Sequence, residues 1–377
     1  GERIRVSIRL IGILDLLRRK DCDLIFDYGF TIKRHIFDFI GKFVDVNAFK
    51  LCFFCIGKGV SVWILLVPFF YICRGDQMRD EKLLKELTQL WGVSGYEKEV
   101  RKYIEKEAAP YADEMMTDAM GNLIVKKNGT GGPDSKKIMY AAHMDEIGFM
   151  VKTIEADGRL RVCNLGWNWT GSAYNSRVQF KNGTIGVVSC MGPIEEAANK
   201  AGKLYIDIGA TSKEDALKYV NLGDPCGYRG EYLELHNDRV CSKSLDNRIG
   251  CYQLLEALKE NDGTYPNDIY YVFCVQEELG CRGSKTAAER IQPDIGIAVD
   301  ISPAHDYPCD LEGSNEVDGG IGVKICDPSV VCDEDVVEAM YKCCEENNIP
   351  YQREVIDQGG TDASSMNLSH FGVKAGG

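Results

Sequence analysis

From Met78 onward the sequence alternates apolar runs with amphipathic stretches, and the runs that read as buried strands end on groups able to do chemistry. The run 137–142 (Lys-Ile-Met-Tyr-Ala-Ala) ends on His143, 269–276 ends on Glu277-Glu278, and 295–299 ends on Asp300. Near-continuous apolar strands separated by helical periodicity build a sheet covered on both faces, so the fold class is α/β. Such sheets carry their ligand sites at the carboxyl ends of strands. Asp246, ahead of a helix predicted over 247–260, joins the set. One imidazole among several carboxylates at such a rim points to divalent metal ions.

The alternation stops between 147 and 241. Helical periodicity gives way to short β runs at 149–154, 177–180, 184–189, 204–208 and 232–235, punctuated by Asp157-Gly158, Asn182-Gly183 and Gly223-Asp224-Pro225. That is hairpin and turn chemistry. It predicts a small β-barrel inserted into the α/β domain, which then occupies 78–146 and 242–377. Helices are predicted on Leu83, Leu84, Leu87, Leu90 and Trp91, from Tyr96 onward, and near 333–347, with a hairpin turning at Gly121-Asn122.

Residues 1–77 have another composition. They hold ten of the fourteen Phe, one Ala and no Met, and carry 12 basic against 8 acidic residues, a net +4. The remaining 300 carry 32 basic against 49 acidic, a net −17. The early segment is expected to be an extension outside the fold. Its apolar stretch 59–73 has fifteen residues, fewer than the ~20 that cross a bilayer, which argues against a membrane anchor. The acidic remainder disfavours nucleic acid and anionic membranes and favours small molecules or peptides as partners. Twelve dispersed cysteines after Met78, several inside strand-like runs, fit the reduced thiols of a cytoplasmic protein. Cys52-Phe-Phe-Cys55 has no second pair and is read as chance.

His143 and Asp145 alternate onto one face of a strand end, so Asp145 is placed to fix the imidazole, directly or by bracing a neighbouring ligand. A strand ending in polar loop residues would look the same. Glu277 and Glu278 are adjacent, and adjacent strand residues point apart, which disfavours a glycosidase pair. They can instead divide their roles between metal ligand and general base. Asp246 could equally be a helix N-cap, and Asp300 a loop carboxylate.

Taken together, Ala-Ala-His143-Met-Asp145-Glu-Ile-Gly, Asp207-Ile-Gly-Ala210, Ser-Leu-Asp246-Asn-Arg248, Gln-Glu277-Glu278-Leu-Gly-Cys-Arg-Gly283, Val-Asp300 and Gly359-Gly-Thr-Asp-Ala363 resemble the co-catalytic metallo-aminopeptidases called glutamyl, deblocking or tetrahedral aminopeptidases, some of them labelled endoglucanases. The resemblance runs from Met78 to Gly377. It implies two divalent ions (zinc, cobalt or manganese), with His143 and Asp300 on one, Glu278 on the other, Asp246 bridging and Glu277 as base. It also implies short peptide substrates, a β insert that caps the site, and a homo-oligomer.

The family pattern places a last histidine ligand beyond the stretch matching residues 371–377, so the chain is expected to be truncated, with a weak second metal position, impaired catalysis and an unpaired strand edge. His305 and His370 are off-pattern substitutes; His35 and His236 match nothing and are expected on the surface. Three rivals to the peptidase reading follow: a glycan hydrolase, a non-catalytic scaffold subunit and a membrane-anchored peptidase.

Overall fold

The computed structural model describes residues 80–168, 170–193, 201–307 and 312–377. The expectations for residues 1–77, including Cys52, Cys55, His35 and the apolar stretch 59–73, fall outside the described residues. Among the described residues no helix is long and apolar enough to cross a membrane.

The chain opens with α1 (Glu81–Gln89) and α2 (Lys98–Ala108). Leu83, Leu84 and Leu87 recur at helical spacing and are buried, and the Asp80 carboxylate accepts the Leu83 amide at 3.0 Å to cap the first turn. Next come β1 (Glu114–Thr117), β2 (Leu123–Lys127) and β3 (Lys137–His143). The β1–β2 hairpin turns at Gly121, whose φ of +106° suits a residue without Cβ.

From Gly148 to Tyr228 the chain builds a closed barrel of β4 (Gly148–Ile154), β5 (Leu160–Leu165), β6 (Arg177–Phe180), β7 (Ile185–Cys190), β8 (Leu204–Asp207) and β9 (Pro225–Tyr228). Its order is β4-β5-β8-β7-β6-β9, and every pairing is antiparallel. Phe149, Val151, Leu160, Val162, Val178, Phe180, Val188 and Ile206 fill the interior. These residues alternate along their strands, as closing a sheet around one core requires. Closure also removes the free edges that short strands would otherwise expose.

The barrel is narrower than the predicted span. Residues 233–241 form a separate hairpin of β10 (Leu233–Leu235) and β11 (Arg239–Cys241). All three β10 residues are exposed, and the ribbon pairs only within itself, outside the barrel.

The α/β pattern resumes with α3 (Leu245–Glu260), β12 (Asp268–Cys274), α4 (Arg282–Ile291) and β13 (Ile295–Ala298). There follow β14 (Ile321–Asp327), β15 (Val330–Val331), α5 (Glu334–Asn347), β16 (Tyr351–Val355), α6 (Asp362–Asn367) and β17 (Lys374–Gly376). The main sheet has the order β1-β2-β12-β3-β13-β17. Its pairings from β12 through β3 and β13 to β17 are parallel, and β1 and β2 are antiparallel, so the fold is mixed α/β. Six of the seven β3 residues are buried, the mark of a strand covered on both faces. Helices α1 and α2 contact α3, which lies on β3, while α4 contacts β12, β3 and α6.

One buried cation joins the parts. Arg248 is fully buried and donates to the carbonyls of Met144 and Leu87, each at 2.6 Å, and of Leu90 at 3.2 Å. Glu146 accepts from Lys243 at 2.9 Å and from the Gly92 amide at 2.9 Å. The start of α3, the end of β3 and the loop after α1 are therefore locked to one another just ahead of Gly148, where the barrel begins.

Candidate active site

Three parallel strands end together, and their ends carry the polar groups. Residues 143, 274 and 298 close β3, β12 and β13, and the in-register pairing of Cys274 with His143 brings the segment after β12 alongside the segment after β3. Asp246 arrives from the first turn of α3. It is not the N-cap: Asp246 and Asn247 have non-helical backbone angles, Asn247 Oδ1 accepts the Gly250 amide at 3.0 Å as the helix proper begins, and Asp246 turns to the histidine.

His143 is the hub. Its Nδ1 lies 3.0 Å from the backbone carbonyl of Asp145 and 3.4 Å from that residue's Oδ1. In the neutral ring, a proton on Nδ1 leaves the Nε2 lone pair available to a cation. Nε2 faces Asp246 Oδ1 at 3.0 Å, Glu277 Oε2 at 3.8 Å and Asp300 Oδ1 at 3.9 Å. Donor atoms of His143, Asp246 and Asp300 all lie within 4.8 Å of one another, a spacing one cation can bridge. Burial lowers the histidine's proton affinity, but Asp145, Asp246, Asp300 and Glu277 together raise it well above the ordinary value. Asp246 is 51 % exposed, so the cluster opens to solvent on that side.

Asp145 holds the rim in place. It is fully buried, and its carboxylate accepts the Ser94 hydroxyl at 2.6 Å, the Glu277 amide at 3.0 Å and the Glu278 amide at 3.2 Å. Burial pushes its pKa up, but His143, Ser94 and the Glu277 amide more than offset this and hold the carboxyl below its usual value. Asp145 touches the imidazole mainly through its carbonyl, and its carboxylate chiefly fixes the two glutamates.

The glutamates sit on a turn. β12 ends at Cys274, two residues short of the predicted 276, and Gln276 has φ +56°. Side chains now take the amides a neighbouring strand would have used: Asn122 accepts Val275 at 2.9 Å, Glu97 accepts Gln276 at 3.1 Å, and Asp145 accepts the next two. The alternation argument for opposed carboxylates therefore does not apply here. Burial raises Glu277 to about 7 despite the opposing charge of His143, and burial with the Asp246 charge raises Glu278 to about 8. Burial also raises Asp300 well above the usual carboxylate range. The barrel side reaches the site through Gly166, where a Cβ would lie 2.9 Å from Glu278 Cβ.

Of the predicted site residues, the structure gathers His143, Asp145, Asp246, Glu277 and Asp300 around one imidazole, with Glu278 beside them on the same turn. His305 and His370 join neither cluster of candidate donors; His370 lies beyond α6 and faces Glu289 at 3.8 Å. His236 is exposed, as expected. Among the described residues, the candidate clusters contain a single imidazole, that of His143.

Sequence reasoning missed four supporting groups. Ser94 was hidden in the Gly-rich break between two helices and Glu97 in the first turn of the helix predicted from Tyr96; Glu97 is buried, and burial and the Asp145 charge raise it to about 7. Cys281 and Asp362 stood inside recognised motifs without a role. Cys281 Sγ lies 3.1 Å from Glu277 Oε1, and Asp362 is buried with its Oδ1 unpaired.

The profile of the M42 glutamyl aminopeptidase family matches residues 121–377, and the chain belongs to that family of peptide-bond hydrolases. It is 45 % identical over 295 residues to a putative aminopeptidase of Acetivibrio thermocellus, covering 78 % of this chain and 88 % of that one. Among solved structures it is similar to the aminopeptidase APDkam598 from the archaeon Desulfurococcus kamchatkensis, with 36 % identity, a TM-score of 0.73, and coverage of 78 % of this chain and 84 % of that one. The Pyrococcus horikoshii TET1 peptidase, which can assemble into a tetrahedron or a large octahedral shell, is 31 % identical with a TM-score of 0.67, over 78 % and 89 % of the two chains.

Proposed function

We propose that this protein is a metal-dependent aminopeptidase that removes N-terminal residues from short peptides. The observation that carries the reading is the convergence of His143 Nε2, Asp246 and Asp300 on one point with Glu277 Oε2 3.8 Å from the ring. One nitrogen and two carboxylates fit a catalytic-type site for zinc or cobalt, which leaves a coordination position open. Glu278 with a share of Asp246 is an all-oxygen donor pair, better suited to a harder ion such as manganese and weaker for zinc. When bound, divalent ions there would polarise the scissile carbonyl and acidify a water molecule.

The chain's own groups supply the rest. Glu277 Oε2 takes a proton from the attacking water and returns it to the departing amine, and a carboxyl raised to about 7 is matched to that exchange near neutral pH. Asp145 is a positioning residue that holds both glutamate amides. Residues 78–146 and 242–377 form one catalytic module, with 147–241 as an inserted domain whose Gly166 loop borders Glu278 and limits the site to chain ends. The similarity to self-assembling peptidases supports a homo-oligomer. Hydrolysis of aminoacyl-anilides that stops on chelation and returns with added cation is the expected result; turnover of cellulosic substrates instead would overturn it.

A further inference from the structure

Glu277 has two oxygens, and they face different neighbourhoods. Oε2 faces the imidazole of His143, at 3.8 Å, whereas Oε1 faces Cys281 Sγ at 3.1 Å. Behind Cys281 lies Asp362 at the start of α6. Donor atoms of Glu277, Cys281 and Asp362 all lie within 4.8 Å of one another, a second cluster distinct from that of His143, Asp246 and Asp300. Cys281 is 8 % exposed and Asp362 1 %, so the pocket is shielded from bulk water.

A second observation points to a ligand there. Asp362 Oδ1 is buried without a hydrogen-bond partner, and an unsatisfied buried carboxylate oxygen is costly. Burial raises the Asp362 carboxyl; the charge of His143 and the nearby Ser284 and Cys274 donors oppose this and the charge of Asp145 adds to it, yet Oδ1 stays unpaired. One thiol and two carboxylates make a soft-to-borderline donor set, which selects zinc or cadmium over magnesium or calcium. Bonds of about 2.3 Å to sulfur and 2.1 Å to oxygen at a tetrahedral angle place the two donors roughly 3.6 Å apart. The 3.1 Å contact therefore needs to open by about half an ångström.

The geometry points to an inhibitory metal site formed by Glu277, Cys281 and Asp362, taking a thiophilic divalent cation. Binding breaks the S–H bond of Cys281 and forms a metal–sulfur bond, and the proton leaves to solvent with no change of oxidation state. Glu277 Oε1 becomes a ligand, so the carboxylate no longer swings to accept a proton. That filling the site blocks turnover rests on the reading of Glu277 as base; the site itself rests on the cluster alone.

The test is a cadmium titration of the full chain, following thiolate-to-cadmium charge-transfer absorption in the near ultraviolet alongside aminoacyl-anilide turnover. No sulfur lies in the cluster around His143, so the band reports a cysteine. The wild-type protein should develop the band and lose activity together; Cys281→Ser should lose the band and need at least roughly tenfold more cadmium for inhibition. Asp362→Asn, which keeps the thiol and the side-chain size, should weaken both effects by a similar factor and serves if Cys281→Ser does not fold. No band in the wild type, or a band undiminished in both variants, overturns the site. A band that depends on Cys281 without any loss of turnover upholds the site and overturns Glu277 as the base.

Discussion

Replacing Asp145 separates a positioning role from a ligand role. Three donors converge on its carboxylate, from Ser94 at 2.6 Å, Glu277 at 3.0 Å and Glu278 at 3.2 Å, in a fully buried setting. Asp145→Ala orphans all three at about 1–3 kcal/mol each, some 3–9 kcal/mol against the ~5–15 kcal/mol by which folded domains are stable. Asp145→Asn orphans fewer. If the amide oxygen takes the Oδ1 position, the NH2 group faces the Ser94 oxygen, which can accept, and the Glu278 amide, which cannot. If it is flipped, the NH2 group opposes the Glu277 amide. One backbone donor is lost either way, at about 1–3 kcal/mol. The turn then drifts, and turnover should fall roughly 10–100-fold, the usual effect of removing a group that orients a ligand. Urea unfolding, metal content and aminoacyl-anilide kinetics on both variants measure these effects. Two variants as stable as wild type, or Asp145→Asn with unchanged kcat, would refute the reasoning.

Glu277→Gln should retain bound metal and lose at least roughly 10²-fold in turnover; loss of metal would make Glu277 a ligand. Without cations the folded protein holds Glu277 and Glu278 protonated up to about 7 and 8, so binding must displace protons. Affinity should therefore rise as pH rises through these values, seen as proton release in calorimetry across buffers of different ionisation enthalpy. The same raised carboxyls should make the metal-free protein lose stability as pH climbs from about 5 to 8, because the folded state binds the extra protons; a melting temperature flat across that window would contradict this. Arg248→Met removes the donor to the buried Met144 and Leu87 carbonyls, at about 1–3 kcal/mol each, while Glu146 keeps Lys243, so the denaturant midpoint should report a loss of about 2–6 kcal/mol.

The strands carrying the site were legible because β3 and β12 are apolar almost throughout, and the residues just past them were therefore legible as rim groups. Periodicity could not show where β12 stops. That is decided by Asn122, Glu97 and Asp145, which come from 132 to 179 positions earlier in the chain and capture the amides of residues 275–278. β10 was drawn into the barrel because Leu233 and Leu235 alternate with Glu234, a pattern that reads as half-buried, whereas all three side chains are exposed. Ser94, Cys281 and Asp362 left no local trace: each acts across a tertiary contact, and a serine in a Gly-rich loop or a cysteine before a helix has many ordinary explanations.

The most direct measurement is aminoacyl-anilide turnover of the chelated protein as zinc, cobalt or manganese is titrated back, with the Asp246→Ala variant beside it. A rise from near zero that saturates with bound cation in the wild type and is absent in the variant is the predicted result. Turnover that survives chelation, or that Asp246→Ala leaves intact, would contradict a metal-dependent site at His143, Asp246 and Asp300.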